Sequence, residues 1–338
     1  MKILLVTHHL CYYGGSETYL YTAATGLRDA GHDVFIYAPF IGKTAEQAVK
    51  AGITVDDDIY RLRQTGGFDV IHAQHNIPAM VVRELFPSTP MLLMVHGALP
   101  LLEQPPAEMY GIDPIVCVSR EIYDHLKRLR PAGNLHIVHN CVDTKRFRSR
   151  HPINRELKRV LVLSNHFPAG HKRLLEEACG NLNATLAMLG MPGRTVWNTE
   201  DYINDADLVV TLGRGAMESM ACGRAVMVYD VHGADGMLTE SSFRESLECN
   251  LSGRKRRIAY TLDGLLEALA GYDPEMGATN RRLAETHFNV ESHVAELERL
   301  YESAIASFQP IPQGSLPGVA ESFLFYQRTI KGYDKSPF

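Results

Sequence analysis

No two cysteines stand in a CxxC pair anywhere in this 338-residue chain. The six present (Cys11, Cys117, Cys141, Cys179, Cys222 and Cys249) are scattered among mostly apolar or small residues. That spacing excludes a zinc ribbon, argues against a disulfide framework, and fits reduced thiols in a cytoplasmic protein. Positive charge is also not in excess. Lys plus Arg number 34 against 39 Asp plus Glu, a formal net charge of −5, so the balance points to neither nucleic acid nor an anionic membrane as the main partner. No stretch approaches the roughly 18 unbroken apolar residues of a spanning helix. The opening "MKILLV" is far shorter than the apolar core of a secretory signal. A soluble chain is expected. Repeats of 20 to 50 residues and low-complexity tracts are absent as well. So is the G-x-G-x-x-G spacing: the first apolar run leads into "THHLCYYGGSE", which disfavours a dinucleotide-dependent oxidoreductase.

What the chain does have is alternation. "KILLV", "DVFIYA", "FDVIHA", "PMLLMVHG", "PIVCVS" and "LHIVHN" read as strands buried on both faces, with amphipathic stretches between them. The pattern predicts βα units and a parallel sheet. "ETYLYTAATGLRDAGH" has helical spacing and Gly31 in the position that ends a helix, while Ser119 caps "REIYDHLKRLR" and Pro131 stops it. After a polar, basic stretch the alternation restarts with "RVLVLS", "ATLAMLG", "DLVVTLG" and "RAVMVYD". The reading is a first Rossmann-like domain over residues 1–150 and a second over 151–308, with a hinge near 141–158. Residues 309–338 form a tail whose last helix, carrying Phe323, Phe325 and Tyr326, needs burial and is expected to pack back on the first domain. In two facing α/β domains, the carboxyl ends of both sets of strands line one cleft, where ligands bind.

The stretch "GRGAMESMACGRAVMVYD", residues 213–230, follows such a strand. A strand ending near Leu212, a turn through Gly213 and Gly215, and a helix opening near Ala216 would present free backbone amides at a positive helix end, suited to phosphate. Glu218 lies just beyond, where a carboxylate accepts two hydrogen bonds from vicinal sugar hydroxyls. Phosphate on amides and ribose on an acid describe a nucleotide. The plainer alternative is an acid that complements the helix dipole. Gly14 and Gly15 would let backbone approach a ligand or merely form a turn. Trp197, the single tryptophan, would stack on a base or fill the core. Histidines are usually structural, and His8, His9, His72, His75 and His96 all remain candidates at this point. "DAD" at 205–207 reads as a helix end and strand entry rather than a metal site. The clusters "RKRR" (254–257) and "KRLR" (127–130) read as solvated faces. Peripheral membrane contact through the second cluster is not favoured.

These stretches together resemble the GT-B glycosyltransferases of the retaining family 4. "GGSETYLYTAATGLRDAGHDV", "FDVIHAQHN", "LMVHG", "VCVSREIYDHL", "HIVHNCVDTKRF" and "MESMACGRAVMVYD" are similar, in order, to that family's signatures over about residues 1–235. "HFNVESHVAELERLYE" is a weaker match. The resemblance implies a cleft between two Rossmann-like domains and transfer of a sugar from a nucleotide-diphosphate donor to a saccharide, lipid-linked or small-molecule acceptor, with retention and no catalytic metal. It implies Glu218 on the ribose, Lys172 on the diphosphate, and His96 beside the reacting sugar with Gly14 and Gly15. Asn165, Arg173, Trp197, Gly213, Arg214, Gly215 and Ala216 complete the implied donor site. Two departures stand out. The family's companion acid, eight positions before Glu218, is here Val210. Ser164 and Asn165 replace its glycine-arginine pair, which leaves Arg214 or Arg173 to supply positive charge. A nucleotide-sugar-binding protein or inactive partner subunit is the alternative these departures raise.

Overall fold

A computed structural model describes residues 1–312 and 318–333. Ten apolar runs become strands. Seven parallel strands form the first sheet, in the order Thr54–Asp56, Asp33–Tyr37, Lys2–Val6, Val70–Ala73, Met91–Val95, Ile112–Cys117 and Leu135–Ile137. The second sheet runs Thr185–Leu189, Arg159–Leu163, Leu208–Thr211, Ala225–Asp230 and Gly233–Met237, with only the last strand antiparallel. The edge strands Thr54–Asp56 and Gly233–Met237 carry too little apolar sequence to have been foreseen. Central strands such as Leu4 and Val210 are fully buried, because helices cover both faces of a parallel sheet. Gly31 does end the opening helix, Gly15–Asp29, at φ 92°. The His32 amide reaches Leu27 O at 3.1 Å there, a closure only a left-handed residue allows.

The apolar residues divide into a first core and a second lobe whose sheet is packed on each face. The division falls between Cys141, in the first core, and Val142, in the second. Residues 143–158 already pack on the second lobe. Asp207 of "DAD" is fully buried and accepts the amides of Asn154, Lys158 and Arg159 at 3.1, 3.1 and 2.8 Å, a stitching role. The chain then returns. Helix Val290–Ser307 contributes Val290, Val294, Leu297, Leu300 and Tyr301 to the first core, although it lies within the stretch 151–308 assigned to the second domain. The two crossings run side by side, with the Val142 amide donating to Phe288 O at 2.7 Å and Val142 bridged to Asn289.

The last helix, Ala320–Tyr333, packs on helix Asn76–Leu85 of the first lobe. Leu324 is buried, Phe323 packs on the first core, and the Gln327 side chain donates to Pro39 O and Asp57 O. Phe325 is 64% exposed, contrary to expectation. One residue turns a helix by about 100°, so Phe325 faces away when its neighbour Leu324 faces in. The side chain of Tyr326 and residues 313–317 and 334–338 lie outside the described residues. Among the described residues no helix is long and apolar enough to cross a membrane.

Candidate functional site

Strand order reverses at one place in each sheet: beside Lys2–Val6 in the first, and between Arg159–Leu163 and Leu208–Thr211 in the second. Loops leaving the carboxyl ends there diverge and leave a crevice. A cavity of about 250 Å3 occupies the cleft at these points. Glu218 lines it from the second lobe, 7% exposed. Its helix spans Gly213–Ala221 with no acid in the first turn. Glu218 therefore sits too far along to serve chiefly as a dipole complement.

The carboxylate is held in place. Oε1 is 2.8 Å from Arg214 Nε, and Oε2 accepts from Thr199 Oγ1 at 3.4 Å. Arg214 also reaches across the cleft. Its Nη1 donates to Cys141 O at 2.9 Å, and its Nη2 donates to Thr22 Oγ1 of the opening helix at 2.7 Å. One guanidinium thus orients the acid and ties the lobes together. The single residue Leu212 links strand Leu208–Thr211 to the Glu218 helix. Gly213 takes φ 54° in this turn and donates its amide to Leu251 O at 2.8 Å. A methyl group at Gly215 would collide with Thr211 Oγ1. The Arg214 and Gly215 amides meet no acceptor among the described residues, so they remain available at a positive helix end. The short link also accounts for Val210. Eight positions before Glu218 lies mid-strand, where Val210 pairs with Val162 and Met227 and is fully buried.

Trp197 lines the cavity and is not in the core. Arg146 stacks over its ring at 4.5 Å while Arg146 Nε and Nη2 hold Glu200 at 3.1 and 2.9 Å. From the first lobe, Tyr21 and Tyr13 approach Trp197 with ring centroids at 4.7 and 5.2 Å. These aromatics would flank a planar base. Gly14 and Gly15 line the first-lobe side. The two glycines differ. A methyl at Gly14 would strike the buried Glu17 carboxylate, whereas nothing lies near one at Gly15. His9 Nε2 contacts Glu17 Oε1 at 3.0 Å. Burial pushes Glu17 up, but the His9 hydrogen bond and charge outweigh it and hold the carboxyl below its ordinary value.

Ser164 and Asn165 line the cavity, with Asn165 Oδ1 accepting the Met191 amide at 3.0 Å. Asp230 joins them, its carboxyl pushed up by burial. Lys172 and Arg173 do not line it. Both are exposed, and Lys172 pairs with Glu176 one helical turn away at 3.7 Å. Ala216 is fully buried beneath the helix. Gly213 and His96 belong instead to a neighbouring cavity. His96 stacks edge-on against Tyr19 at 4.6 Å, and its Nε2 has no partner among the described residues. Burial, with His72 and His293 nearby, pushes it down to about 3, so it is neutral near pH 7. His75 is instead a loop anchor, with Nδ1 3.0 Å from Thr7 Oγ1. His72 Nδ1 meets Tyr301 Oη at 2.8 Å within the core. Sequence reasoning missed Tyr13, Tyr21, Arg146 and Arg194 as cavity residues. Tyr13 adjoins the glycine pair and Tyr21 lies two turns along the same helix, which was a readable signal. Nothing local marks Arg146, whose place depends on the lobe crossing.

The family model Glycosyltransferase Family 4 matches residues 13–146. No curated protein sequence matches the chain significantly. Solved structures share its whole architecture at low identity. Anabaena HepE, solved with UDP and glucose, has a TM-score of 0.63 and 14% identity, covering 90% of this chain and 100% of its own. AviGT4, a glycosyltransferase of avilamycin A biosynthesis, has a TM-score of 0.60 and 17% identity, covering 91% and 100%. The calicheamicin glycosyltransferase CalG4 has a TM-score of 0.51 and 13% identity, covering 90% and 98%. The first lobe thus matches glycosyltransferase family 4 over residues 13–146, and the chain as a whole shares the two-lobed GT-B fold of these glycosyltransferases.

Proposed function

We propose that the chain moves a glycosyl group from a nucleoside-diphosphate sugar to an acceptor hydroxyl with retention, in the cytoplasm and without a catalytic metal. The observation that carries this reading is the Glu218 carboxylate, fixed by Arg214 and Thr199 inside the cleft, between an aromatic cluster at one end and unpartnered helix-head amides at the other. An ionised carboxylate there accepts both ribose hydroxyls. Trp197 and Tyr21 flank the base. The Arg214 and Gly215 amides receive diphosphate oxygens and oppose the charge that develops as the glycosyl bond breaks. In the retaining step, the bond from the anomeric carbon to the diphosphate oxygen breaks and its electron pair stays with the leaving group. The acceptor oxygen bonds to the same face, and its proton passes to the departing phosphate.

One neighbour, Anabaena HepE, was solved in three structures with UDP, UDP and glucose, or UDP-glucose, which makes uridine diphosphate the first nucleotide to test. Calorimetric titration with uridine, guanosine, adenosine and thymidine diphosphates should show one preferred base, and Glu218→Ala should weaken binding of the preferred nucleotide. Binding of none of the four would overturn the reading. A second reading, a nucleotide-sugar binder without transferase activity, is favoured by one observation: Lys172 lies outside the cavity, paired with Glu176. Labelled UDP-sugars incubated with the protein separate the two, since transfer or slow donor hydrolysis excludes the binder.

A further inference from the structure

This inference rests on the transfer reading and concerns the other substrate. A second cavity of about 280 Å3 opens beside the first, and Leu212, at the head of the Glu218 helix, lines both. Its walls come from both lobes, with His96, Gly97 and Glu103 on one side and His232, Asn250 and Arg254 on the other. A donor with its ribose on Glu218 and its diphosphate at the helix head directs its glycosyl carbon toward this space. An acceptor must therefore meet it there.

Glu103 is the one carboxylate among the residues lining this cavity. Neither a hydrogen bond nor an ion pair engages it among the described residues. It folds directly over Gly97, where a methyl group would overlap Oε2, so the missing side chain at 97 leaves room for the carboxyl beside His96. Arg254, the cation of the cavity, is already held by Glu121 through Nη2 at 2.6 Å and Nε at 2.9 Å, an ion pair across the cleft. Burial, and behind it the negative charge of Glu17, pushes Glu103 up to about 7. An acid in this setting gains from hydroxyl donors and loses from a second negative charge.

We propose that Glu103 selects the acceptor: the second cavity takes a neutral, hydroxyl-rich acceptor such as a saccharide, holds one of its hydroxyls on the Glu103 carboxyl, and discriminates against acceptors bearing a phosphate or carboxylate at that end. The selection is one of charge. His232, Asn250 and Ser252 complete a polar wall able to bind further hydroxyls.

The test uses the full chain with Glu103→Ala and Glu103→Gln variants. Calorimetry with the four nucleoside diphosphates comes first, and all three proteins should bind the preferred one alike because Glu103 lies outside the first cavity. If the unaltered protein binds none of the four nucleoside diphosphates, the donor reading fails, a result distinct from failure of this inference. With nucleotide bound, and at about pH 8.5 so that a carboxyl pushed up to about 7 is ionised, saturation-transfer NMR then compares methyl glucoside, methyl galactoside and methyl mannoside with glucose 6-phosphate and glucuronate. At least one neutral glycoside should bind, Glu103→Ala should weaken it about tenfold or more, as for a lost hydrogen bond to a charged group, and Glu103→Gln should keep it while admitting the anionic sugars. Equal binding of neutral and anionic sugars, undiminished binding to Glu103→Ala, or binding of no sugar to a nucleotide-loaded protein would each overturn the proposal.

Discussion

The two lobes meet the cleft through unlike turns. In the first, residues 7–14 separate the opening strand from the opening helix, long enough to form a short ribbon strand at His9–Leu10 and to present His8, His9, Tyr12 and Tyr13. In the second, Leu212 alone joins strand to helix. A long loop offers side chains and is held by them, here through His75, His9 and Glu17. A one-residue link offers backbone amides and demands small residues, Gly213 for its left-handed φ and Gly215 for its contact with Thr211. The first-lobe turn therefore presents titratable groups and aromatics to the cleft. The second-lobe turn presents backbone amides.

The largest expected effect is a differential loss of stability in acid. Burial pushes His72 and His75 down to about 3, and His293 to about 4. All three lie in or beside the first core. The unfolded chain protonates histidine near 6.5, so between that value and the folded values it binds more protons than the native state. The stability these neutral rings allow is complete above pH 6.5 and is lost as pH falls toward 3. Melting temperature should drop from pH 7 to pH 5. Hydrogen exchange should quicken in helix Val290–Ser307 before it does in the Glu218 helix, and simultaneous opening would dissolve the contrast between the lobes.

Next in size, Glu218→Ala should weaken nucleotide binding by about 1.5–3 kcal/mol, the range for hydrogen bonds to a charged group, with circular dichroism unchanged. Unaltered calorimetric affinity would remove Glu218 from the site. The glycine pair sharpens the comparison within one loop. Gly14→Ala forces the buried Glu17 carboxylate to move and should cost about 1–3 kcal/mol of stability, as overpacking does. Gly15→Ala should fall within about 0.5 kcal/mol yet weaken ligand binding, because the added methyl faces the cavity. Denaturant titrations of the two variants decide this, and equal losses would mean that Gly15 is structural too. The smallest effect belongs to the Arg254–Glu121 pair. It is partly solvated, so Arg254→Ala should change stability by about 0–1 kcal/mol. Small-angle scattering should nonetheless show a larger radius if that pair helps hold the cleft closed.

Much of the fold was legible because a parallel strand covered on both faces must be apolar along its length, and the second lobe repeats that signal after the hinge. Glu218 was legible for a related reason: a glycine-rich turn between a buried strand and a small-residue helix puts the next acid near the ligand edge. Lys172 was not correctly placed by its spacing, since its flexible side chain lies on the outer part of its helix and finds Glu176 instead. Glu103 gave no signal at all, because it closes a single short 3-10 turn and its meaning comes from Glu17 and Arg254, which chain order does not bring near it.

The amino-acid order by itself determined the two sheets, the turns that need glycine and the acid beside the helix head, because each depends on burial, φ and spacing within some twenty residues. Tertiary structure alone decided that helix Val290–Ser307 returns to the first core, that Arg214 joins Glu218 to Thr22, and that Glu103 faces Arg254. Those contacts join groups more than a hundred residues apart. Their formation depends on how the lobes close on each other, and no local preference of the backbone encodes that closure.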